Sequence, residues 1–211
     1  MKKFLVTISA LIITLSAFCQ QNDLASPDGK LLVSVVVEQS KPVYSVQYNG
    51  ITMLEPSPLG LITTDGNFAD NMKFISSSEN KIDKTYFQAK IKKSLVHYVA
   101  NERIYTFTNA QNQKLDIIFR VSNNDIAIRY YIHRAGNSAN CIIQKELTGF
   151  NLPDRATVFL TPQSTPMIGW ERTKPSYEED YIVDAPLGTP SQYGVGFTFP
   201  GLFRIGSDGW V

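Results

Sequence analysis

Cysteine is scarce in this chain of 211 residues, which holds Cys19 and Cys141 and no other. Because Cys19 ends a predicted leader described below, what remains has one thiol, and no internal disulfide can form. Cys141 lies in the apolar stretch Cys141-Ile142-Ile143, which predicts a small core residue rather than a catalytic thiol. The fold must therefore be held by an apolar core, for which 43% hydrophobic residues are sufficient.

The chain also lacks an excess of charge of either sign: it has 20 Lys and Arg and 19 Asp and Glu, for a net charge of +1. This balance gives no electrostatic basis for binding nucleic acid or an anionic membrane surface. The chain lacks a phosphate-binding loop, a zinc-ligand spacing and a serine nucleophile elbow. Its two histidines, His97 and His133, fall on predicted strands, where packed or surface positions are more common than catalytic ones.

A long apolar run occurs at the N-terminus, where residues 4–18 follow the basic Met1-Lys2-Lys3. The run is shorter than the ~20 residues that a membrane span needs. The order of basic, apolar and small residues predicts a signal peptide over residues 1–19 and an exported, periplasmic domain over residues 20–211. Lipidation at Cys19 is the alternative, and the bulky Phe18 before it disfavours a lipobox.

Helical periodicity is absent beyond this leader, and strand signals replace it. Apolar and polar residues alternate over 43–48 and again over 126–132, where Ile126, Ile128, Tyr130 and Ile132 share one face. Asn49-Gly50 predicts a hairpin turn, and Ser26-Pro27-Asp28-Gly29 predicts another turn. Residues 71–93 are polar and ambiguous, and they suggest strands with long connections. The sequence predicts one all-β domain, a large antiparallel β-sandwich.

The last residues, 199–211, read as a strand, an Asp-Gly turn and the beginning of another strand. A domain rarely ends on a half-made hairpin, because its edge would be exposed. We therefore expect the chain to be a fragment.

Aromatic and acidic residues are densest between Trp170 and Tyr181, in a proline-broken, loop-like segment. Aromatic faces stack on sugar rings, and carboxylates bind sugar hydroxyls or a hard cation such as Ca²⁺. The adjacent Glu178 and Glu179 are a poor acid/base pair, because neighbouring side chains on an extended chain point to opposite sides. A solvated acidic loop is the alternative interpretation.

In their order along the chain, several segments resemble the N-terminal part of glycoside hydrolase family 97. They are Ser26-Pro27-Asp28-Gly29-Lys30, Val43-Tyr44-Ser45-Val46, Pro58-Leu59-Gly60-Leu61, residues 115–121 with 125–130, Tyr177-Glu178-Glu179-Asp180-Tyr181, and 199–211. The resemblance implies a galactose-mutarotase-type supersandwich that packs on a (β/α)8 catalytic barrel. It implies a periplasmic, calcium-dependent, exo-acting α-glycosidase whose substrates are α-linked glucoside or galactoside oligosaccharides.

By motif position the resemblance implies that Glu178 is a calcium ligand and that Trp170, Tyr177 and Tyr181 shape the sugar pocket. No residue of this chain matches the general acid, nucleophile or base of that family, so the chain alone is expected to be inactive. Two alternatives stay open. One is a free-standing periplasmic sugar-binding module, and the other is a structural surface-lipoprotein domain that depends on lipidation at Cys19.

Overall fold

The structure, a computed structural model, describes residues 23–90, 92–136, 140–163, 180–194, 196–207 and 209–211. The predicted signal peptide with Cys19 lies outside the described residues. In the described part every paired strand runs antiparallel to its neighbour, which confirms the all-β class. No helix there is long and apolar enough to cross a membrane.

Two four-stranded sheets form the body of the domain. The first has the order β1-β2-β3-β4 and the second the order β6-β7-β8-β9. The bounds of their strands are β1 Leu24–Ala25, β2 Leu31–Glu38, β3 Lys41–Tyr48, β4 Ile51–Pro58, β6 Lys73–Phe87, β7 Leu95–Thr108, β8 Lys114–Val121 and β9 Ile126–Ile132.

Two smaller sheets complete the described architecture. One is the two-stranded sheet β10-β5. The other, named the C-terminal sheet, is a third four-stranded sheet, whose strands of two or three residues have the order β12-β11-β13-β14. The bounds of their strands are β5 Leu61–Thr63, β10 Ile143–Glu146, β11 Ala156–Val158, β12 Ala185–Pro186, β13 Phe203–Ile205 and β14 Gly209–Trp210.

The core lies between the two four-stranded sheets. From one side it receives Val33, Val35, Tyr44 and Val46, and from the other Tyr105, Phe107, Leu115, Ile117, Phe119 and Val121. Apart from Ile118, which is also buried, the residues between them are exposed or half-buried, because successive side chains of a strand point to opposite faces. Sheet-on-sheet packing of two amphipathic sheets is what makes this a sandwich.

The predicted turns are present. Asn49 and Gly50 both have positive φ, 49° and 78°, as a two-residue hairpin turn requires, and they join β3 to β4. Gly29 donates its N–H to the carbonyl of Ser26 over 2.9 Å. At the C-terminus, β13 and β14 form the short hairpin suggested by the sequence.

Two sequence interpretations need correction. Residues 73–87 form one 15-residue strand that pairs with β7 in a long hairpin, rather than several strands with long connections. Its polar composition reflects exposure, since most of its side chains face solvent. Cys141 is exposed and not in the core, because it lies in the irregular connection before β10.

Buried tyrosines tie the connections to the sandwich. Tyr44 donates its hydroxyl to the carbonyl of Gly149 at 3.0 Å, and Tyr130 bonds to Thr148 at 2.7 Å. The N–H of Gly60 donates to the Tyr130 hydroxyl. Gly60 itself has φ +151°, and a Cβ there would lie 2.6 Å from that of Ala69, so glycine is required on both counts.

Stability is expected to fall in alkaline solution because of these tyrosines. Burial raises the pKa of Tyr105 to about 12 and also raises the pKa of Tyr44 and Tyr130. Between pH ~10, where unfolded tyrosine ionises, and about 12 the unfolded state loses protons that the folded state keeps. The free energy of unfolding should decrease across that window and should be unaffected by tyrosine below it.

Urea unfolding of the wild type and of Tyr105→Phe, from pH 8 to pH ~11.5, measures this effect. Tyr105→Phe should reduce the loss at high pH, whereas Tyr131→Phe, at a side chain that is 55% exposed, should leave it unchanged. Equal behaviour of the two variants would contradict the role given to burial.

Candidate functional site

Most of the predicted site lies outside the described residues. Trp170, Tyr177 and Glu178 belong to residues 164–179, whose placement the structure does not describe. Tyr181 is described, with 49% of its surface exposed. It borders a cavity of about 40 Å³ together with Asp180. A cavity of this size holds a few water molecules at most, so by itself it does not accommodate a sugar ring.

One flank of this segment is bonded to residues 196–197, and both flanks line a common small cavity. On one side Gln163 donates its N–H to the carbonyl of Gly196 at 2.9 Å, and Pro162 forms a bridge with Phe197. On the other side Asp180 lines the same small cavity as Pro162. The aromatic and acidic residues 170–178 therefore connect two points that lie close together on one part of the domain.

Asp184 fixes the second of these points. Its carboxylate accepts a hydrogen bond from the Thr157 hydroxyl at 2.7 Å and forms an ion pair with Arg204. These partners stand on β11 and β13, so one carboxylate joins the loop to two adjacent strands. Asp184 has φ +55°, a conformation that Asp tolerates better than most residues. The sequence offered no signal for this role, because nothing in its local pattern separates Asp184 from other loop aspartates.

The two histidines are paired with aspartates. The His133 ring lies 2.8 Å from Asp116, whose other oxygen accepts a hydrogen bond from the Thr106 hydroxyl at 2.7 Å. The hydroxyl here bonds to the carboxylate and not to the ring, so these three do not form a nucleophile–imidazole–carboxylate triad. His97 contacts Asp83 at 2.7 Å, and both side chains are exposed. His97 is thus a surface residue, which is one of the two positions, packed or surface, that the sequence favours for a strand histidine.

The described part of the chain holds no cluster of three or more His, Cys, Asp or Glu side chains that could bind a metal ion. Ca²⁺ takes about six to eight oxygen ligands, so the predicted ligand Glu178 needs partners from beyond the described residues. The calcium assignment therefore stays a prediction.

Comparison with known proteins gives related sequences that are much longer than this chain. It is 26% identical over 115 residues to the probable retaining α-galactosidase of Streptomyces bingchenggensis, covering 54% of this chain and 18% of that protein. It is 28% identical over 132 residues to the retaining α-galactosidase of Bacteroides thetaiotaomicron, covering 62% of this chain and 19% of that protein. The chain thus spans about a fifth of these relatives.

Solved structures show the same fold. The crystal structure of a β-arabinopyranosidase is 54% identical, with a TM-score of 0.85, over 89% of this chain and 30% of that one. A glycoside hydrolase family 97 enzyme from Pseudoalteromonas sp. strain K8, in complex with panose, is 23% identical with a TM-score of 0.72 over 86% of this chain and 26% of that one. At that identity the second likeness concerns the fold alone.

A family model ties these likenesses together. Residues 24–211, which include both four-stranded sheets and the C-terminal hairpin, match the model described as glycosyl-hydrolase 97 N-terminal. The fold, the order of the segments and the relatives all point to the same family. The chain belongs to the N-terminal domain family of the family 97 glycoside hydrolases.

Proposed function

We propose that this chain is the sugar-binding N-terminal domain of a longer, exo-acting glycosidase that acts on galactose-configured substrates. The observation that carries the proposal is the 54% identity, over 89% of this chain, with a β-arabinopyranosidase. The two curated relatives are named as α-galactosidases.

The two substrate names describe related sugars. The ring of β-L-arabinopyranose has the configuration of α-D-galactopyranose and lacks its hydroxymethyl group. A pocket that binds the shared ring hydroxyls can accept either sugar, and the space around the hydroxymethyl position then decides between them. One methylene in an apolar pocket is worth only ~1–3 kcal/mol, whereas a site that hydrogen-bonds the hydroxymethyl group would reject the sugar that lacks it by a factor of roughly 10⁴–10⁵.

The role of the domain in this proposal is to supply residues to an active site whose catalytic carboxylates lie in a (β/α)8 barrel. Glu178 would act as a calcium ligand, and Trp170, Tyr177 and Tyr181 would contact the sugar. The anchoring of both flanks of this segment by β11, β13 and residues 196–197 supports the proposal, because a ligand-binding loop needs a rigid base.

Exposed apolar side chains support packing against a further domain. Residues 181–202 carry Ile182, Val183, Phe199 and Leu202, and 93% of the Phe199 surface is exposed. Large apolar side chains in water mark sites of protein contact when several occur together. We assign this part of the surface to the contact with the barrel. Export to the periplasm by residues 1–19 belongs to the same proposal.

Substrate choice can be tested on the full-length gene product, assayed with aryl β-L-arabinopyranoside, aryl α-D-galactopyranoside and aryl α-D-glucopyranoside. We expect hydrolysis of one or both of the first two at a kcat/KM more than about tenfold above that of the glucoside. Residues 20–211 alone should hydrolyse none of them, because the catalytic carboxylates are absent. Preference for the glucoside, or turnover by residues 20–211, would contradict the proposal.

The calcium role can be tested by Glu178→Gln in the full-length gene product, with Glu179→Gln as the matched control. Loss of one charged ligand should raise the Ca²⁺ concentration for half-maximal activity by about tenfold or more. Glu179→Gln should change it little, because motif position assigns the ligand role to Glu178 and not to its neighbour. Calorimetric titration with Ca²⁺ gives an independent readout. Equal effects of the two substitutions would contradict the calcium role of Glu178 and favour the alternative of a solvated acidic loop.

A further inference from the structure

Strand β9 is the outermost strand of its sheet, and no other described segment pairs with its outer edge. In the part of the chain that the structure describes, β9 pairs with β8 and with no other strand. Its sequence, Ile-Ala-Ile-Arg-Tyr-Tyr-Ile, has one charged residue and no proline. Natural edge strands are usually protected by charges, prolines, bulges or a covering segment, because a bare edge templates the addition of another strand.

The hydrogen-bond register shows which main-chain groups are free for such an addition. Ser122 donates its N–H to Asp125, and His133 donates its N–H to Lys114, which marks both as hydrogen-bonded pairs. Bonded and non-bonded pairs alternate in an antiparallel ladder, and the β8–β9 register has no irregularity. The bonded residues of β9 are therefore Ala127, Arg129 and Tyr131. The N–H and C=O groups of the alternate residues point to the free edge: Ile126, Ile128, Tyr130 and Ile132.

The side chains of these same four residues show that the core is open on this side. They pack against the core and are only partly buried, whereas Leu115, Ile117, Phe119 and Val121 of the neighbouring β8 are fully buried. Solvent therefore reaches the interior of the sandwich along β9. The core-facing side chains are covered at β8 but only partly covered at β9, so a further segment is needed to cover them there.

A cavity of about 650 Å³ lies beside this edge. It is lined by Ile128 to Ile132 without interruption, so it follows the strand rather than one face of it. Ile143 and Glu146 of β10 line its other side, and 56% of the Ile143 surface is exposed. We name this space between β9 and β10 the β9 slot. A second cavity, of about 630 Å³ and lined by both four-stranded sheets, adjoins it at Ile126, Ile128 and Phe150.

We propose that the β9 slot receives an extended β-strand, which pairs with the free edge of β9 and covers Ile126, Ile128, Tyr130 and Ile132. The strand that we assign to it comes from the part of the longer enzyme that follows Val211. This assignment rests on the proposed function, in which the chain is one domain of such an enzyme. Main-chain pairing would supply the affinity, and alternate apolar side chains would fill the two cavities.

Two observations favour this occupant. Gly209 and Val211 line the second cavity together with Ile126 and Ile128, so polypeptide that continues from Val211 begins beside the slot. The chain also spans 30% of the β-arabinopyranosidase to which it is 54% identical, which leaves ample polypeptide in a protein of that size. A second copy of this chain would have to bring a whole sheet edge between β9 and β10, whereas a single extended segment needs only the width of one strand.

The test is amide hydrogen exchange, read residue by residue by NMR, on two proteins: the chain of residues 20–211 and the full-length gene product. In the shorter chain the amides of Ile126, Ile128, Tyr130 and Ile132 should exchange at least about tenfold faster than those of Ala127, Arg129 and Tyr131 in the same strand. The bonded amides are the internal control for local unfolding. In the full-length protein the difference should disappear.

Each other outcome overturns the proposal. An alternation that persists in the full-length protein means that no strand pairs with β9. An alternation that is absent from the shorter chain at high dilution means that the chain fills its own slot. An alternation that vanishes in the shorter chain with rising concentration identifies a second copy as the occupant. The glycosidase assay is independent of these readings, so a protein that protects β9 without hydrolysing galactosides would contradict the proposed function alone.

Discussion

Tyr44 and Phe119 meet across the space between the two four-stranded sheets, with ring centroids 5.6 Å apart, and Tyr105 packs edge-on against Phe119 at 6.1 Å. Aromatic contacts of this kind contribute beyond the burial of their area. The packing of the two sheets against each other positions the loops and smaller sheets that are connected to them. Tyr44 also bonds to Gly149, so the segment that leads from β10 to the C-terminal sheet is positioned by the same residue.

Apolar side chains become progressively less buried with distance from this centre. Strand β8 buries its core face completely, β2 and β3 bury most of theirs, β9 buries its face in part, and residues 181–202 carry large apolar side chains in water. An independent module would gain by covering such surface, since each buried apolar residue contributes roughly 1.5–3 kcal/mol. This is the distribution expected if further polypeptide covers the remaining apolar surface, as the proposed function requires. Its relatives, of which it spans less than a third, have that polypeptide.

Strand alternation and turn residues were enough to predict the sandwich. The turn at Asn49-Gly50 and the strand over 126–132 are determined by local sequence, through the backbone angles of Asn-Gly and through the alternation of apolar residues, and tertiary contacts do not change them. The long hairpin arm could not be foreseen, because residues 73–87 are exposed on most positions and thus lack the apolar period that marks a half-buried strand. Cys141 was misplaced for a related reason: an apolar neighbourhood in sequence does not guarantee burial in an irregular connection. The role of Asp184 and the β9 slot both result from contacts between segments that are distant in sequence, so no local pattern could predict them.

The core of the sandwich is closed at β8 and open along β9. Urea unfolding of Ile117→Ala and Ile128→Ala in the chain of residues 20–211 tests it directly, since both substitutions remove the same atoms from neighbouring strands of one sheet. Ile117 is fully buried, so its truncation should cost about 2–5 kcal/mol. Ile128 is already partly in water, and its truncation should cost about 1.5 kcal/mol or less. Equal losses would show that β9 is covered in this chain and would contradict the account.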